Sequence, residues 1–145
     1  MTDSGVEGFI TLDESLDDVV EPKPVATGRY NLTIEQAKAV KNEEGELSKI
    51  QILIGFDDNP KAATLFHNIS LPLSGDQPKS RNFKLLLMKK FMTLFKVPYE
   101  GGRLNTLDFA GCRAEGVNVE YTTYQKSDQN GQPVGDPVPT NRIVF

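Results

Sequence analysis

The chain of 145 residues has one cysteine, Cys112, and one histidine, His67. A lone cysteine excludes an internal disulfide and any cysteine-based zinc site. A lone histidine in a strand-like run, with no serine or cysteine motif around it, gives a catalytic triad nothing to assemble from. Neither G-x-x-x-x-G-K nor G-x-G-x-x-G occurs, so two common phosphate cradles are missing. No apolar run approaches the ~20 residues of a membrane span. The first twenty residues are acidic, unlike a secretory signal or an Arg-rich transit peptide, and a cytoplasmic location is expected. Asp57-Asp58 is a carboxylate pair, but Asp57-Asp58-Asn59-Pro60 reads as a turn. Cys112 reads as a packing residue at a strand entry. The expectation is therefore a binding protein, with no enzymatic activity, no cofactor and no metal.

Charge is unevenly placed. Residues 1–24 carry seven acids and one base, whereas the rest of the chain carries 13 acids and 15 bases. Between Lys79 and Arg103 seven bases face Glu100 alone. An acidic leader on a slightly basic body is the pattern expected of a domain that seeks anions. Residues 1–24 end in Glu21-Pro22-Lys23-Pro24, which cannot continue a helix or a central strand. Phe9, Ile10, Leu12, Leu16, Val19 and Val20 alternate with the acids there. The segment is too short for a core of its own and reads as a docking segment, for its own domain or for a partner. The division expected is residues 1–24 and a domain of residues 25–145.

The body reads as five strands and a helix. Residues 28–34 alternate, with Tyr30, Leu32 and Ile34 on one face. A polar loop at 41–46 precedes residues 47–57, where Ile50, Ile52, Ile54 and Phe56 share one face and Lys49, Gln51, Leu53 and Gly55 the other. Residues 64–71 place Leu65, His67, Ile69 and Leu71 opposite Phe66, Asn68 and Ser70. A helix is predicted over 81–96, stopping before Pro98 and Gly101-Gly102. Phe83, Leu87, Phe91, Leu94 and Phe95 make the stripe expected to face the sheet, and Leu85, Met88 and Met92 make a second one. The leader or a second copy of the chain is expected to cover the extra stripe, so a homodimer is one arrangement the pattern allows. Residues 113–124 form the fourth strand, with Val117, Val119 and Tyr121 on one face. Asn130-Gly131 marks a turn in a loop over 127–137, and residues 138–145 form the last strand.

The order β-β-β-α-β-β is that of the OB-fold, a five-stranded Greek-key barrel with its helix between strands 3 and 4. The expected binding surface is then strands 2 and 3, flanked by the loops at 41–46 and 127–137. Single-strand binding needs cations for phosphates and exposed rings on which bases stack. The cations expected there are Lys41, Lys49, Arg81 and Lys126. The ring candidates are Phe66 and Tyr124; Tyr124 is expected at the surface, Phe66 either there or in the core, and Tyr121 in the core. The helix lysines Lys89 and Lys96 read as a solvated face.

Gly28-Arg29-Tyr30, Ile50-Gln51-Ile52-Leu53-Ile54, Phe66-His67-Asn68-Ile69-Ser70-Leu71, the helix from Phe83 to Phe95 and Gly111-Cys112-Arg113-Ala114 together resemble phage-encoded OB-fold single-stranded DNA-binding proteins. The resemblance spans residues 25–145. It implies coating of single-stranded DNA without sequence preference, in phage DNA replication or recombination within a host cytoplasm. Members of such families often carry an acidic C-terminal tail for recruiting replication or recombination proteins; here the acids lie at the other end. A non-enzymatic protein-interaction or virion-assembly module, docking through the leader, is the alternative.

Overall fold

A computed structural model of the chain describes residues 7–145. Its elements are β1 (Gly28–Lys41), β2 (Leu47–Phe56), β3 (Leu65–Ser70), α1 (Pro78–Phe95), β4 (Arg113–Ser127) and β5 (Pro133–Ile143), with short 3-10 turns at Leu16–Asp18 and Thr106–Asp108. The strands form one antiparallel sheet in the order β3-β2-β1-β4-β5. Its edge strands, β3 and β5, approach each other without a strand pairing between them. The predicted element order and the helix position are thus present, in a sheet that curls but stays open.

Two hairpins use the same turn chemistry. Asn42 Oδ1 accepts from the amides of Glu44 and Glu46, while the Asn42 amide donates to the Glu46 carbonyl. Asp128 Oδ1 likewise accepts from Asn130 and Gln132, and the Asp128 amide donates to the Gln132 carbonyl. Each turn needs one residue at positive φ, and glycine fills both places, Gly45 at 83° and Gly131 at 78°. The second turn needs only residues 128–132, so β5 begins at Pro133, within the stretch expected as loop. Pro137 and Pro139 are tolerated because β5 is an edge strand. β1 runs on through Glu35-Gln36-Ala37-Lys38-Ala39-Val40, a stretch without strand-like alternation; pairing with β2 outweighs its local preference.

The core sits between the sheet and α1. Leu32 and Ile34 of β1, Ile50, Ile52 and Ile54 of β2 and Leu65 of β3 are nearly inaccessible, as the alternation predicts. From the helix come Met88, Phe91, Met92 and Phe95. This corrects the stripe expected to face the sheet. Phe83 and Leu87 are exposed, as are Leu85 and Leu86. The C-terminal turns of α1 pack on the core, and its N-terminal turns project past it. The helix ends where Lys96 takes the left-handed conformation, φ 55° and ψ 39°, and its amide donates back into the last turn. Tyr121, expected in the core, is 46% exposed because β4 outruns the buried part of the sheet.

His67 is half-buried, lying flat on Phe91 with ring centroids 4.9 Å apart and an edge-on contact to Phe145 at 5.8 Å. Burial pushes its imidazole down to about 4. Cys112 is also half-buried; its Sγ donates to the Asp108 carbonyl, and burial pushes the thiol up. Asp57 ties three strands together where the expected turn begins. Its carboxylate accepts from Thr33 on β1 and pairs with Arg113 at the head of β4 at 2.7 Å.

The leader does not pack on its own domain through its apolar residues. Phe9, Ile10, Leu12, Leu16, Val19 and Val20 are all exposed. Attachment begins at Lys23, which bridges to Ala62, and at Val25, which is buried. Val25 is held as if in a strand pair: its amide donates to Asn141 Oδ1 at 2.8 Å, and its carbonyl accepts from Asn141 Nδ2 at 2.8 Å. No helix among the described residues is long and apolar enough to cross a membrane.

Candidate functional site

The register decides which side chains share the outer face. Gln36, Lys38 and Val40 of β1 lie opposite Leu53, Gln51 and Lys49 of β2. Those three lie in turn opposite Phe66, Asn68 and Ser70 of β3. The outcome is a patch three strands wide and three rows deep, Gln36–Leu53–Phe66, Lys38–Gln51–Asn68 and Val40–Lys49–Ser70. Strands ~4.8 Å apart and rows ~6.6 Å apart make it about 10 by 13 Å before side-chain reach is added. The intervening residues, such as Ile50, Ile52 and Ile69, face the core, so the outer identity of these positions follows from the period of two.

The patch is uncharged or basic, with no carboxylate among its nine residues. Phe66 is 66% exposed, an accessible ring on a strand that otherwise buries its apolar residues. Its neighbour Leu53 is half-buried and supports it from β2. Lys38 and Lys49 supply two cations, neither of them in an ion pair among the described residues. Gln51, Asn68 and Ser70 offer donors and acceptors at the surface. A ring for stacking, amides and two ammonium groups within one rigid sheet face is chemistry suited to a polyanion with flat bases.

The six expected residues do not all meet here. Phe66 and Lys49 do. Lys41 is exposed at the end of β1, beyond an irregularity in pairing, beside the first hairpin turn. Arg81 is exposed on α1 and lines a cleft with Ala39, Ile50 and Met88, on the core side of the sheet. It lies across the sheet from Phe66 and so does not belong to the patch. Tyr124 is 47% exposed opposite Val138, and Lys126 is exposed opposite Val134. Both lie beyond Val119, which pairs with Gly28 at the start of β1, whereas Lys49 pairs with Val40 near its end. That part of β1 is about 40 Å of extended strand before coiling shortens it. Tyr124 and Lys126 thus form a separate outlying pair.

Lys38 is the residue sequence reasoning missed. It sits in the unalternating part of β1, and only its pairing with Gln51 shows that it shares a face with Lys49. Among the described residues no three histidine, cysteine, aspartate or glutamate side chains come together as a metal-ion site. Compared with known proteins, the chain matches no family model and no curated protein.

Proposed function

We propose that this chain binds single-stranded DNA without sequence preference, in phage DNA replication or recombination. The observation that carries the reading is Phe66, exposed on the outer face of β3 with Leu53 beside it on β2 and with Lys38 and Lys49 in the further rows. A base stacked on Phe66 would place neighbouring phosphates within reach of flexible lysine side chains. Each such stack is worth ~1–3 kcal/mol, and it is tolerant of sequence because every base has a π-face. The strand order, the helix between β3 and β4 and the approach of β3 to β5 support an OB-type barrel, whose binding surface is this same pair of strands. In this reading Lys41 extends the cationic track past the first hairpin, and Tyr124 with Lys126 offers a second contact for a longer strand. No residue is assigned a catalytic role.

Labelled oligo-dT titrated at two salt concentrations, beside a duplex of equal length, tests the proposal. Tight binding at low salt, weaker binding at high salt and preference for the single strand are expected, because phosphate contacts release counterions. Absence of oligo-dT binding at low salt removes it.

A second reading, a non-enzymatic protein-interaction or virion-assembly module, is favoured by the leader. Six apolar residues exposed on a short acidic segment are a costly surface to leave in water.

A further inference from the structure

The core side of the molecule carries a feature that the outer patch does not use. A cleft of about 1370 Å³ opens between α1, the first hairpin and the stretch from Pro98 to Asp108. Its apolar lining includes Leu47 of β2, Leu85, Met88 and Met92 of α1, and Tyr99. Arg81, Lys89 and Arg103 stand on it, against Glu100 and Asp108. None of those three bases is in an ion pair among the described residues. The helix face along the cleft runs from Arg81 to Met92, about 17 Å at ~1.5 Å per residue.

The leader has the complementary character. Phe9, Leu12, Leu16 and Val19 recur at intervals of three and four, with Ile10 and Val20 beside them, while Asp13, Glu14, Asp17, Asp18 and Glu21 fall between. On a helix this puts Phe9, Leu12, Leu16, Val19 and Val20 in one apolar stripe, with the acids on one flank and the back and Ile10 among them. Ser15 already caps a single 3-10 turn at Leu16–Asp18. A helix from Phe9 to Glu21 would be about 20 Å long, which matches the cleft. An amphipathic helix laid in an apolar groove is a recurrent mode of recognition.

We infer that the leader of one copy binds, as a helix, in the α1 cleft of a second copy. Reach decides against the chain's own cleft. The leader is anchored at Lys23 beside Ala62, whereas the cleft begins at Leu71, at the far end of β3. That separation is about 25–30 Å of strand. A helix starting two residues from the anchor would use its length crossing β3 and could not also lie along α1. In the single chain the six apolar side chains are indeed exposed. Exchange in both directions closes two copies into a dimer and buries the leader's apolar stripe against the exposed Leu47, Leu85 and Tyr99 of the cleft.

The full chain tests this. Sedimentation velocity over about 1–100 μM should show a monomer–dimer equilibrium that weakens as salt rises. A labelled synthetic peptide of residues 7–21 should bind the full chain, as read by anisotropy. The paired change Leu12→Asp with Leu16→Asp, and separately Leu85→Glu with Arg103→Glu, should each weaken dimerisation about tenfold or more. All four positions are exposed or lie at the cleft rim, so at concentrations where the original chain is monomeric the variants should match it in far-UV circular dichroism and unfolding midpoint. Combining Arg81→Glu and Arg103→Glu with Asp17→Lys and Asp18→Lys should recover part of the association. A dimer that survives both pairs of substitutions overturns the inference. So does a chain that remains monomeric throughout, including one whose peptide binds a monomer, since that places the leader in its own cleft. Oligo-dT binding that fails while dimerisation follows the pattern above would sink the nucleic-acid reading and leave this contact standing.

Discussion

The imidazole of His67 lies 9° from parallel to the ring of Phe91, with centroids 4.9 Å apart. Packing there takes the imidazole out of water, which disfavours its charged form and pushes the group down to about 4.

The unfolded chain takes up this proton near pH 6.5 and the folded chain only near 4, so the unfolded state binds more protons between those values. Stability therefore falls as pH drops from about 6.5 to 4, by at most ~3 kcal/mol from this residue. His67→Phe keeps an aromatic ring against Phe91 and removes the titration. Urea midpoints measured at pH 7.5 and 4.5 should differ less in the variant than in the original; equal differences would show that His67 titrates normally.

Asp57 shifts stability in the same direction with pH, in a lower window, and through a charged form that the fold favours. The Thr33 hydroxyl and the Arg113 guanidinium hold its carboxyl below the ordinary carboxylate range. Its share of stability is present above the unfolded value near 3.8 and is lost as pH falls below it. Asp57→Asn should lower the urea midpoint at pH 7 and narrow the gap between variant and original at pH 3. A constant gap would mean that the ion pair carries no pH dependence.

Asn141 is buried and serves both the amide and the carbonyl of Val25. Asn141→Ala leaves that amide and carbonyl unsatisfied in an apolar surround, at a cost of about 2–4 kcal/mol. Thermal unfolding would register it, and proteolysis near residue 25 should quicken as the start of the domain loosens. Asn141→Asp restores only an acceptor and should recover little.

Phe66→Ala should weaken oligo-dT binding by ~1–3 kcal/mol while changing stability by no more than about 0.5 kcal/mol, because the ring is mostly exposed. Lys38→Ala and Lys49→Ala should each reduce the slope of log K against log salt by about 0.7. Arg81→Ala, across the sheet, should leave both quantities near their original values. If Arg81 proves as important as Lys49, the strand passes the core side and the patch is misplaced.

Much of this surface could be read in advance. Lys49 and Phe66 follow from a period of two on strands whose other face is unmistakably apolar. Arg81 was grouped with them because charge alone carries no direction, and the helix that bears it sits on the opposite side. Tyr124 was rightly expected at the surface, yet its distance from Phe66 depends on how far β4 slides along β1. Lys38 was invisible because Gln36-Ala37-Lys38-Ala39 has no apolar rhythm to set its face.

The order of elements, the inward sets Ile50, Ile52, Ile54 and Leu65, the turns at Gly45 and Gly131 and the acidic apolar leader were all legible from residue spacing. These are local properties, set by backbone period and by which side chains tolerate a given φ. Strand register, the turns of α1 that meet the core, and the company kept by His67, Asp57 and Asn141 are not local. They arise only when segments distant in the chain compete for the same buried surface, and that competition is resolved by packing the whole sheet against one helix.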